Sequence, residues 1–134
     1  MKAGSILAAL GLSLMIGGMV FFGAIIAPLV FTKLPPDISG PFIRAIFPRY
    51  YAFIAAAAFL GMIGFILRGE TFSGFILLFV IAAVLWAWLW LIPHLNAWRD
   101  AGNMLAFDRG HKASTWLNGA ELIAASWLLL RLVL

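Results

Sequence analysis

Hydrophobic positions along this chain come in long unbroken runs, and the polar ones are gathered into three short intervals between them. Ser5 to Phe31 carries no charge and ends in Ala27-Pro28-Leu29-Val30-Phe31. About 20 apolar residues cross the roughly 30 Å of membrane hydrocarbon, so this run predicts a first transmembrane helix over about 5–31. It is too long for the apolar region of a signal peptide and lacks a clean small-x-small exit. Lys33, Pro35, Pro36, Asp37 and Gly40 predict a loop by their turn chemistry. Pro41 to Phe47 reads as a short interfacial helix, with Phe42, Ile43, Ile46 and Phe47 on its apolar side and Pro48 as its break or kink. A second span is expected over about 49–67 and a third over about 71–92, joined by the minimal turn Arg68-Gly69-Glu70. Pro93 is expected to close the third span. His94 to Lys112 is the longest and most polar interval, and a fourth span is expected over about 112–134.

The pattern predicts an all-α integral membrane protein, four transmembrane helices in an up-down bundle forming a single domain over 1–134, with no extramembrane catalytic domain. Short loops require antiparallel neighbours. Helices in lipid associate through close packing at small residues. Ala9, Ser13 and Gly17 on the first helix, and Ala57 and Gly61 on the second, are the expected seams.

Composition agrees. The chain is 65% hydrophobic and 10% charged, against about 45–50% apolar and about 25% charged for soluble domains. So few charges cannot cover a water-facing surface, and the lipid bilayer is the expected surrounding partner. The net charge of +4 comes from scattered Lys and Arg residues that form no basic stripe, which argues against nucleic acid. With no cysteine, thiolate metal sites and thiol catalysis are excluded. Lys33, Arg44, Arg49, Arg99, Arg109 and Lys112 fall on the side of loops 1–2 and 3–4, and Lys2, Arg68 and Arg131 on the other. That bias predicts a multi-pass protein of the inner or plasma membrane with the two longer loops cytoplasmic, although Lys2 before the first helix argues the opposite way.

Candidate chemistry concentrates on the same side. His111, Ser114, Thr115, Asn118 and Glu121 recur at three- and four-residue steps, within an arc of roughly 120° at about 100° per residue. A membrane-embedded carboxyl costs about 2.5–3.5 kcal/mol on insertion scales, so the stripe is expected to face the bundle. Two readings of Glu121 stand side by side: an ion pair with Arg44 or Arg49, or a proton- or cation-binding group. Asn118 reads first as an interhelical hydrogen-bond clamp. His94, Arg99, Arg49 and Tyr50 complete the candidate ligand-binding set with His111, Ser114, Asn118 and Glu121. His94 and His111 are the only histidines, too few to argue an axial haem pair. No third ligand is spaced for zinc, and no phosphate loop or Ser-His-acid set is present. No cofactor, no metal and no catalytic residue are therefore expected, and the chain is not read as an enzyme. Trp86, Trp88 and Trp90 read as an interfacial belt.

Phe107-xxx-His111-xx-Ser114-xxx-Asn118 resembles a signature of the transmembrane protein 205-like family, a membrane domain of unknown function. Gly18-xxx-Phe22, Ala27-Pro28-xx-Phe31, Phe47 with Tyr50, and Pro93 with Arg99 also match, so the resemblance extends over nearly the whole chain. It implies a four-helix membrane fold and no particular activity. Glu121 and His94 lie outside that pattern.

Three functions remain open. One is small-molecule, ion or lipid binding or transport in a polar pocket on the loop face. Pro28, Pro48 and Pro93 would there supply broken-helix geometry, and a homo-oligomer would form the pathway. Another is an accessory or structural subunit binding another membrane protein. The third is a haem carrier or membrane enzyme resting on His111, Glu121 and His94.

Overall fold

The computed structural model describes residues 2–134, and among them there is no strand. Four helices run α1 Lys2–Lys33, α2 Pro36–Leu67, α3 Thr71–Asp100 and α4 Met104–Val133, each long and apolar enough to cross a membrane. At about 1.5 Å per residue, 30 to 32 residues reach about 45–48 Å, against about 30 Å of hydrocarbon. Some turns of each helix therefore project beyond the apolar layer. The turns between the helices are tight: Gly69 and Gly102 adopt φ of 77° and 74°, a left-handed backbone that glycine enters without steric cost. The Asn103 side chain then caps α4 by accepting from the Ala106 amide at 3.3 Å.

The helices are longer than the turn chemistry predicts, and the prolines do not break them. α2 begins at Pro36 and passes through Pro41 and Pro48, absorbing the segment expected as a separate interfacial helix. α3 likewise continues past Pro93 to Asp100, leaving three residues before α4. A proline removes one amide donor and crowds the carbonyl four residues back. Near Pro48 the side chain of Arg49 donates to the Ala45 carbonyl at 2.7 Å, within the same stretch of helix. Before Pro28 and Pro93 the chain widens into π turns, Phe22–Ile26 in α1 and Ala87–Leu91 in α3. There the Ala27 amide reaches back to Phe22 and the Ile92 amide to Ala87, so one extra residue per turn accommodates each ring.

The closest packing is between α1 and α2. A Cβ placed on Gly4 would stand 2.8 Å from the Gly64 carbonyl oxygen, and one on Gly11 would stand 2.6 Å from that of Ala57. Gly4, Ala8 and Gly11 thus face Ala57, Gly61 and Gly64, and nothing larger fits there. The Ala57/Gly61 half of this seam is the one anticipated on α2. The α1 half is not: Ser13 and Gly17 are exposed, and a Cβ on Gly17 would meet nothing within 4 Å. Both rows of α1 hold small residues, and only the stripe through Ala8, Leu12 and Met15 faces the bundle. Arg68 ties the far end together, paired with Glu70 at 2.7 Å and donating to the Ser5 hydroxyl. Large apolar chains such as Phe79, Trp116 and Ile123 cover the outside, the surface a bilayer requires of a multi-pass membrane protein.

Candidate functional site

At the end bearing the 1–2 and 3–4 turns, the four helices enclose a cavity of about 540 Å³. It lies where α1 parts from α4. The Lys2–Phe21 segment packs against both α2 and α4, whereas beyond the π turn the remainder of α1 keeps contact chiefly with α2. Phe22, Gly23, Pro28 and Phe31 form the α1 wall, and Ile43, Arg44, Phe47 and Tyr50 the α2 wall. Leu95, Asn96 and Arg99 come from α3, and α4 adds Phe107, His111, Ser114, Thr115, Asn118 and Gly119.

The polar groups are held by bonds that cross between helices. Tyr50 Oη donates to Asn118 Oδ1 at 3.1 Å, linking α2 to α4. Asn118 Nδ2 in turn donates to the Ser114 carbonyl at 2.9 Å, so this amide is used on both sides. The Phe22 ring stacks on Tyr50 with centroids 4.5 Å apart, fixing the tyrosine from the α1 side. Arg99 lies 5.4 Å over the Phe107 ring, and that ring stacks on His111 at 5.9 Å. Such a cation over an aromatic face gains about 0.5–1 kcal/mol when exposed. Arg44 makes a two-pronged ion pair with Asp100, at 3.0 and 2.5 Å, which latches α2 to the end of α3. No carboxylate lines the cavity.

Tyr50, Arg99, His111, Ser114 and Asn118 thus surround one space. The other three residues of the candidate set go elsewhere. Arg49 is engaged with its own helix at the Ala45 carbonyl. His94 Nδ1 stands 2.6 Å from the Trp90 carbonyl, which makes that nitrogen the donor, and the ring stacks on Trp90 at 4.1 Å. It belongs to a ladder of Trp86, Trp90, His94 and Trp98 along α3. Glu121 is buried one turn beyond Asn118 and does not reach the cavity wall. Its Oε1 and the Tyr51 hydroxyl are enclosed without a hydrogen-bond partner of good geometry. An ion pair of Glu121 with Arg44 or Arg49 is not formed, because Asp100 and the Ala45 carbonyl hold those guanidinium groups.

Several wall residues were not anticipated as site residues. The sequence suggests Arg44 only as a partner for Glu121, and its partner in the structure, Asp100, lies 56 positions away. Gly23 and Gly119 carry no chemistry of their own and signal nothing until the space beside them is seen.

Nothing among curated proteins matches this chain, nor does any solved structure. A match to a protein family covers residues 10–103, which takes in most of the first three helices and stops short of the Phe107 to Asn118 spacing. Over that stretch, which is most of its length, the chain belongs to the family described as Domain of unknown function (DUF4149).

Proposed function

We propose that the protein binds a small amphipathic molecule in the cavity at the loop end of its bundle. The observation that carries this reading is the glycine lining. Gly23, Gly40 and Gly119 all line the space, and a Cβ on any of them would meet nothing within 4 Å beyond its chain neighbours and its own turn of helix. Each sits within a helix, where glycine is less favourable than alanine by about 0.8–1.0 kcal/mol in soluble hosts. Gly17 on the outer surface is the other helical glycine with open space. At the seam, glycine is needed because backbone lies behind it. At these three positions, what a side chain would displace is the cavity itself. The volume of about 540 Å³ falls within the about 300–1,000 Å³ of small-molecule sites, which combine apolar walls with a few fixed polar groups.

Kinship with the transmembrane protein 205-like family is part of the same proposal, resting on the Phe107 to Asn118 spacing and its companions. So is sidedness: the basic residues on the side of loops 1–2 and 3–4, Lys33, Arg44, Arg49, Arg99, Arg109 and Lys112, favour the cytoplasmic face of an inner or plasma membrane. A transport role would require several copies, because one such bundle is too narrow for a pathway. The accessory-subunit reading is favoured by one observation, the small residues Ser13 and Gly17 left on the outer surface of α1, with Ala9 half-buried beside them.

Native mass spectrometry of the protein in mild detergent tests binding, with Gly119→Leu and Asn118→Leu alongside. The wild type should carry an adduct of defined mass that Gly119→Leu loses while melting no lower, since leucine favours the helix and fills vacant space. Bare wild-type protein, or an adduct that both variants retain, would remove the cavity from consideration and turn the search to a membrane partner.

A further inference from the structure

Resting on that binding reading, we infer that the occupant is an anionic lipid of the surrounding bilayer, its phosphate at Arg99 and its chain in the gap between α1 and α4. Three observations lead there. The first is the gap itself. After the π turn at Phe22–Ile26, α1 no longer packs along α4 as its first half does. On the two borders of the gap, Gly23, Pro28 and Phe31 face His111 and Thr115, all exposed. A ligand held in the plane of the membrane can enter sideways without first passing through water.

The second is charge. Arg44 and Arg99 line the cavity and no carboxylate does. Arg44 is already neutralised by Asp100. Arg99 has only the Phe107 ring beneath it, and among the described residues it makes no ion pair within 4 Å. A guanidinium resting on an aromatic face keeps the edge of its planar fork available, and that edge matches two oxygens of a phosphate. Basic pockets between transmembrane helices are a recurrent mode of acidic headgroup recognition.

The third is the order of chemistry along the wall. Arg99, His111 and Thr115 stand towards the end of the bundle. Phe22, Leu122 and Gly119 lie deeper along their helices, where Gly119 leaves room. A headgroup at the mouth and an acyl chain further in satisfy both zones at once. A free phosphate would leave the apolar part of the cavity unfilled, and a zwitterionic lipid would bring a cationic headgroup, along with its phosphate, beside Arg44 and Arg99.

The experiment titrates detergent-solubilised protein with phosphatidylglycerol and phosphatidylcholine of matched acyl chains, read by native mass spectrometry, with glycerol 3-phosphate as a water-soluble competitor. Phosphatidylglycerol should bind selectively. Arg99→Gln should weaken it about tenfold, the scale of one charge-assisted contact, and leave phosphatidylcholine unchanged. Gly119→Leu should abolish the selective component. Melting temperatures establish that each variant folds, and Gly23→Leu narrows the gap from the α1 side if Arg99→Gln does not fold. Equal binding of both lipids, unmoved by Arg99→Gln, would mean ordinary annular lipid and overturn the inference. Competition by glycerol 3-phosphate as strong as by the lipid itself would overturn the bilayer as source. If phosphatidylglycerol fails while a neutral adduct carried from the cell is lost on Gly119→Leu, this inference falls and the binding reading stands. No adduct under any condition removes both.

Discussion

Asn118 and Glu121 are one helical turn apart on α4 and meet opposite circumstances. Asn118 uses its oxygen and its nitrogen, towards Tyr50 and the Ser114 carbonyl. Glu121 Oε1 is buried with no partner. A buried polar group left unsatisfied costs about 1–3 kcal/mol, and an apolar side chain of similar size removes that penalty without leaving a large void. Glu121→Leu should therefore melt at the same temperature as the wild type or higher in detergent. A clear loss of thermal stability would show that the carboxyl has a partner, either the enclosed Tyr51 hydroxyl or a group of a second protein. Periodicity alone placed both residues on the inner face. It said nothing of satisfaction, because whether a hydrogen bond closes depends on the neighbour's backbone to within a few tenths of an ångström.

At the scale of the helix, the glycines separate into those that admit a neighbouring backbone and those that border empty space. Gly11 and Gly64 belong to the first kind, since a Cβ on either would overlap the facing helix. Gly11→Val should destabilise the protein by about 1–3 kcal/mol, the range for overpacking a close interface, whereas Gly17→Val should change stability little. Thermal unfolding of the pair in one detergent decides the matter, and equal behaviour would contradict the α1–α2 seam. The prolines give the complementary lesson. In water a mid-helix proline breaks or kinks a helix, which is what the sequence predicts at Pro48 and, as an end, at Pro93. Inside a membrane an open backbone has no water to bond, so the helix continues past both prolines, at Pro93 by widening into a π turn.

At the scale of the whole molecule, the start of α1 and the end of α2, which meet at Ser5, Arg68 and Glu70, define one end, and the cavity with the Arg44–Asp100 latch defines the other. Cysteine is absent from the sequence, so single introduced cysteines report sidedness cleanly. Asp37→Cys and Ala101→Cys should both be labelled by an impermeant maleimide only after the cytoplasmic face is opened, and Thr71→Cys without opening. The reverse pattern would invert the proposed orientation and give weight to Lys2 over the loop charges.

Span number, helical class, antiparallel order and the gathering of polar side chains at one end were legible in the sequence. They depend on quantities local to the chain: the length of an apolar run, the shortness of a turn, and the spacing of residues around one helix. The tertiary structure alone decided which small-residue face of α1 is buried, that Arg44 answers Asp100 and not Glu121, that His94 and Arg49 turn to their own helices, and that a gap opens between α1 and α4. Each of these is a competition between partners far apart in sequence, or a consequence of one extra residue in a turn. Such outcomes are set by packing among four helices at once, and no single segment contains the information.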